Sequence, residues 1–139
     1  MYLVKEKLVN MMLMNNIEEE FMTIKVFLST RFKDITTPQY IKMCEYVTQI
    51  IRQNYDHIRD DDEIAIISNF NEKRNENVVY PKLYDLSVAL QKMSECEMFF
   101  LIGEEDRSIK PGCAVELNAW IAAGGCQPII RYKWANMFN

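Results

Sequence analysis

From Met22 onward, apolar runs too short for helices alternate with longer amphipathic stretches, and this alternation leaves few folds open to the chain. Ile24 to Leu28 (IKVFL) closes on the polar turn Ser29-Thr30-Arg31 and predicts a buried strand. Thr37 followed by Pro38 predicts a helix start: a hydroxyl caps the first turn, and proline lacks a donor that turn leaves unused. The helix is expected to run to about Tyr55 with Ile41, Cys44, Val47 and Ile51 on one face. Asp60, Asp61 and Asp62 predict a solvated turn, and Glu63 to Ser68 (EIAIIS) a second, β-branched strand. After the polar stretch Asn69 to Asn77, a second helix is predicted from Pro81, carrying Leu83, Leu86, Leu90 and Met93. Glu97 to Ile102 (EMFFLI) predicts a third strand and GEEDRSIK a polar loop. Pro111 and Gly112 then open a third helix with Cys113, Leu117 and Trp120 on one face. Gly124 supplies its left-handed ending, and Gln127 to Arg131 a fourth strand.

Strands separated by helices pair in parallel through right-handed crossovers. The expected fold class is therefore α/β: a small open, mainly parallel sheet of four to five strands with helices on both faces, flavodoxin- or Rossmann-like. Residues 22–139 are expected to form this domain, preceded by an N-terminal extension, residues 1–21. Five of the nine methionines fall in the first 22 residues, and Leu3, Val4, Leu8, Met11 and Met12 recur at near-helical spacing. The codons of Glu18, Glu19 and Glu20 can also spell a purine-rich ribosome-binding signal ahead of Met22, which makes Met22 a candidate natural start.

Composition narrows the function classes. The 139 residues are 49% hydrophobic, enough for one real core and too much for a disordered chain. A net charge of −4 argues against a nucleic-acid polymer as partner, and no apolar run reaches the roughly 18 residues a bilayer span needs. The four cysteines form no CxxC pair and the only histidine is His57, so no metal site or cofactor is expected. His57, among acids, is expected at the surface. The absence of a signal-peptide pattern and the unpaired, mostly buried thiols predict a reducing, cytoplasmic setting.

In open parallel sheets, ligands bind beyond the C-terminal strand ends where strand order reverses. That selects Ser29, Thr30, Arg31 and Phe32 after strand one, Ser68, Asn69 and Phe70 after strand two, and the loop from Gly103 to Gly112 with the start of the third helix. Glu116 lies about a turn into that helix among Cys113, Ala119 and Trp120, surroundings in which a carboxylate can serve as nucleophile or general base. A solvated helix glutamate fits the same spacing. Asp85 reads either as an acid at the rim or as a simple helix-dipole partner. Arg31 with Ser29 and Thr30 can bracket a phosphate, and Ser108 can assist; each also reads as ordinary polar surface. Tyr80, Tyr84, Phe32 and Phe70 can stack on a base or close over the core.

Three pieces of the chain resemble the nucleoside 2-deoxyribosyltransferase superfamily, which includes deoxynucleoside-monophosphate N-glycosidases and short bacterial and phage relatives. They are VFLSTRF (26–32), DLSVALQKMSECEMFFLI (85–102) and the more specific SIKPGCAVELNAWIAAGGCQPII (108–130). The resemblance implies that Glu116 is the nucleophile that attacks the anomeric carbon and that Asp85 protonates the departing base. It further implies that Ser29, Arg31 and Ser108 hold phosphate, with Gly112 opening the turn beside them. Thr30, Phe32, Asn69 and Tyr84 complete the expected binding set. The chain departs from the pattern where Ser29-Thr30 replaces a glycine, where Asp85 sits about one helical turn from the family's position near Ala89, and in its longer charged loop after strand three. The expected activity is N-glycosidic cleavage or deoxyribosyl transfer on a nucleoside or nucleotide, in a homo-oligomer. The competing expectations are a nucleotide sensor or sponge using the same pocket without cleavage, and an interaction protein.

Overall fold

The computed structural model describes residues 22–71 and 86–132. Four strands and three helices alternate in the order β1 (Thr23–Ser29), α1 (Thr37–Asn54), β2 (Glu63–Ser68), α2 (Leu86–Ser94), β3 (Met98–Gly103), α3 (Pro111–Ala122) and β4 (Ile129–Tyr132). The strands form one sheet in the order β2-β1-β3-β4, with every pair parallel. This is the flavodoxin-like order 2-1-3-4, and it reverses direction between β1 and β3. The fold is the small parallel α/β sheet the sequence predicts, with four strands among the described residues.

Register fixes which side chains share a face. Leu28 pairs with Ser68 and with Phe100, so these three point one way, while Phe27, Ser29 and Phe99 point the other. The Tyr40 hydroxyl of α1 meets Ser68 Oγ at 2.6 Å, and Trp120 of α3 lies 5.6 Å from Phe99, ring centre to ring centre. Helices therefore cover both faces, α1 on one and α3 on the other, with α2 packed against α3. Strands β1 and β3 occupy the centre and are almost wholly buried, as their unbroken apolar runs require.

Local chemistry explains the helix ends, with several corrections to the sequence reading. The cap of α1 is Thr36 rather than Thr37. Its hydroxyl accepts from Gln39 N at 3.3 Å while the Gln39 side chain accepts from Thr36 N at 3.0 Å, a reciprocal capping box. The buried face of α1 is Met43, Val47, Ile50 and Ile51, turned from the expected one: Ile41 is 52% exposed and Cys44 half-buried. In α2 the buried residues are Ala89 and Met93, whereas Leu90 is exposed, and the expected start at Pro81 lies outside the described residues. In α3 the inward positions are Cys113, Glu116 and Trp120, with Leu117 only partly covered. Gly124 has φ +75°, the left-handed ending expected of it. Beside it, Gly125 leaves no room for a side chain, since a Cβ there would fall 2.5 Å from Trp120 Cε2.

The Asp60–Asp62 turn is the largest correction. Asp62 is 1% exposed, not solvated. Its carboxylate accepts from Met22 N at 3.1 Å and Arg59 N at 2.8 Å, and its carbonyl accepts from Arg52 Nη2 at 2.6 Å. It thus fastens the start of β1 to the turn before β2 and to the end of α1.

Candidate functional site

Burying a carboxylate is costly unless hydrogen bonds replace its water. Among the described residues only three polar side chains are buried: Ser29, Asp62 and Glu116. Asp62 is accounted for by the turn it ties together. Ser29 and Glu116 touch each other at the C-terminal edge of the sheet, beside the β1–β3 reversal where such folds take ligands.

Each element contributes one group. Ser29 ends β1 on the face that α3 covers, and its hydroxyl donates to Glu116 Oε1 at 2.7 Å. Asn69 follows β2, and its Nδ2 donates to Glu116 Oε2 at 2.9 Å. Lys92, in the last turn of α2, donates from Nζ to Asn69 Oδ1 and to the Ser68 carbonyl, both at 3.0 Å. Cys113, one turn before Glu116 on α3, is buried against this group. Burial pushes its thiol above the ordinary range, a hydrogen bond with Ser29 acts against this, and the Glu116 charge adds to the rise. Cys113 is therefore held as a neutral thiol at neutral pH rather than as a thiolate nucleophile.

Glu116 is 5% exposed, which replaces the solvated-helix reading of this residue with the buried one. Both of its oxygens are oriented from separate elements. The first turn of α3 starts at Lys110 without a side-chain cap and has proline at its first position, while a Cβ placed on Gly112 would meet nothing within 4 Å. Open space thus adjoins the backbone one turn from the carboxylate.

The other expected site residues are distributed differently. Thr30 turns its hydroxyl to the Ile102 carbonyl at 2.9 Å, tying the β1 end to β3. Arg31 is exposed and forms no ion pair with the described residues. Phe32 is buried in an aromatic cluster, edge-on to Tyr40 at 5.8 Å and to Phe70 at 5.6 Å, and Tyr40 and Phe70 stack at 4.2 Å. Phe32 and Phe70 are thus core lids, the alternative that their positions at element ends left open. Ser108 is exposed in the loop after β3, where its N–H is held by Asp106 Oδ1 at 2.9 Å. Asp85 and Tyr84 lie outside the described residues. His57 is half-buried.

Lys92 is the site member that sequence reasoning missed. A lysine near the end of an amphipathic helix reads as a solvated dipole partner, and only the packing of α2 beside β2 directs it toward Asn69. A groove of about 750 Å³, lined in part by Tyr40, Cys44, Thr48, Ile64 and Ile66, lies on the α1 face of the sheet, opposite Glu116. Among the described residues no cluster of three or more His, Cys, Asp or Glu is placed to hold a metal ion, and no helix is long and apolar enough to cross a membrane.

Fold and site together define a small parallel α/β protein with a buried carboxylate, hydrogen-bonded by Ser29 and Asn69, at the C-terminal edge of its sheet. Set against protein families, curated proteins and solved structures, the chain matches none.

Proposed function

We propose that the protein breaks the N-glycosidic bond of a nucleoside or nucleotide, by hydrolysis or by deoxyribosyl transfer, with Glu116 as the nucleophile. The observation that carries this reading is Glu116 itself: a buried carboxylate at the C-terminal edge of the sheet, oriented by Ser29 and Asn69. The resemblance of residues 108–130 to the nucleoside 2-deoxyribosyltransferase superfamily supports the same role. In the reaction, a Glu116 oxygen bonds to the anomeric carbon as the carbon–nitrogen bond breaks, and the base leaves with the electron pair. An acid, Asp85 by the resemblance, protonates the base. Water or a second base then attacks the anomeric carbon and releases Glu116. Orienting both carboxylate oxygens beforehand removes reorganisation from the barrier.

The ligand is a nucleoside or its monophosphate, with Arg31, Ser108 and the open first turn of α3 as the groups nearest to hand for a phosphate. Among the described residues β2 and β4 form the edges of the sheet, and such edges favour a homo-oligomer. Unpaired, mostly buried thiols favour the cytoplasm.

A second reading draws on the same geometry. With Ser29 and Asn69 already satisfying the Glu116 oxygens, the pocket can hold a nucleotide without cleaving it. Incubation of the protein with deoxynucleosides and their 5′-monophosphates separates the two. Release of free base, abolished in Glu116→Gln with binding retained, supports the enzyme. Recovery of an intact nucleotide complex without release supports the binding protein, and if neither is observed both readings fall.

A further inference from the structure

We propose that Lys92 is a positioning residue for Glu116, acting through the side-chain amide of Asn69. The two ends of a carboxamide are nearly alike in shape but opposite in hydrogen bonding, one an acceptor and the other a pair of donors. Which end faces Glu116 decides whether Asn69 holds the carboxylate or repels it. Lysine settles this, because an ammonium has three donors and no acceptor. With Lys92 Nζ 3.0 Å from one end of the amide, that end must be Oδ1, and the NH2 group is then directed to Glu116 Oε2 at 2.9 Å. The Ser68 carbonyl, also 3.0 Å from Nζ, keeps the ammonium in place. The resulting chain runs from Lys92 through Asn69 and Glu116 to Ser29, each link from a different element. Its polarity is uniform, with every donor pointing toward Glu116.

Without the ammonium, only Glu116 itself opposes the flipped Asn69, whose oxygen would then face a carboxylate oxygen with no proton between them. Lys92 therefore selects the Asn69 orientation that donates to Glu116 and keeps its carboxylate aimed. The consequence for reactivity rests on Glu116 being the nucleophile; the amide orientation does not.

The test uses the full chain without ligand, following exchange of the Asn69 side-chain NH2 protons by 15N-resolved NMR in wild type, Lys92→Met and Lys92→Arg. A hydrogen bond to a charged acceptor slows exchange by roughly tenfold or more. Exchange is expected to quicken by about that factor in Lys92→Met and to stay slow in Lys92→Arg, which keeps a donor-only head. Equal exchange in wild type and Lys92→Met overturns the proposal, and so does fast exchange in both variants. Where Lys92→Met does not fold, Lys92→Leu takes its place: it too offers Asn69 no donor, and the same quickening is expected. In base-release assays, Lys92→Met is expected to lose kcat about tenfold with KM within about twofold. A wild type that releases no base refutes the glycosidic reading while the exchange measurement still decides the role of Lys92.

Discussion

Replacing Asp62 with alanine puts a number on the difference between a solvated acidic turn and a structural clasp. The Asp62 side chain is fully covered, and it serves two backbone N–H groups, Met22 at 3.1 Å and Arg59 at 2.8 Å. Met22 is 3% exposed, so its N–H cannot turn to water once the carboxylate is gone, and an orphaned buried donor costs about 1–3 kcal/mol. Arg59 is open to solvent, so its N–H recovers most of its loss. The Arg59 guanidinium, 3.6 Å from Asp62 Oδ1 and 43% exposed, adds about 0–1 kcal/mol. Asp62→Ala is therefore expected to lose about 1–4 kcal/mol, a large share of the 5–15 kcal/mol typical of a domain. With a urea slope of about 2 kcal/mol/M, the unfolding midpoint falls by about 0.5–2 M. Asp62→Asn keeps one acceptor and should fall between. Asp60→Ala and Asp61→Ala, both at exposed positions, should stay within about 0.5 kcal/mol of wild type. If Asp62→Ala also stays within that band, the clasp reading is wrong.

Gly125→Ala forces a Cβ to within 2.5 Å of the Trp120 indole, which is itself held by a 2.7 Å bond from Nε1 to the Cys126 carbonyl. The expected cost is about 1–3 kcal/mol with an altered near-ultraviolet circular dichroism signal, and an unchanged melting curve would refute the close packing. Thr36→Ala removes the hydroxyl half of the capping box and should cost about 1 kcal/mol in urea unfolding, with no loss counting against Thr36 as the cap. Stability should also fall on the alkaline side. Burial is the main cause that pushes Tyr40 from 10.0 to about 12 and Cys96 from 9.0 to about 12, so the folded state holds both protons after the unfolded chain has released them. Their contribution is complete below about pH 9 and is lost as pH rises toward 12. Urea midpoints that rise from pH 9 to 11 would contradict this, and Tyr40→Phe should flatten part of the decline.

Much of the architecture was legible in the residues themselves. IKVFL, EIAIIS and EMFFLI are too short and too apolar for surface helices. Each is followed by a polar turn and an amphipathic stretch, and crossover handedness then leaves a parallel sheet as the consistent outcome. Gly124 was legible for an equally local reason, since left-handed backbone excludes most side chains. The faces of α1 and α2 were not. Ile41 and Leu90 satisfy helical periodicity as well as Met43 and Ala89 do, and only the position of the sheet decides which stripe is covered.

The site divides along the same line. The sequence by itself determined that Glu116 would ride a helix opening at Pro111-Gly112, and that Ser29 and Asn69 would stand at strand ends, because these follow from element order. Tertiary structure decided the rest. The fold brings Ser29 and Asn69, 87 and 47 residues from Glu116, and Lys92, 23 residues from Asn69, into one hydrogen-bonded chain. It buried Asp62 and Glu116 while leaving Arg31 exposed, and it turned Lys92 from a helix-end charge into the partner of Asn69. Local sequence encodes propensity and periodicity, but desolvation and hydrogen-bond pairing are set by whatever distant residues the sheet brings alongside.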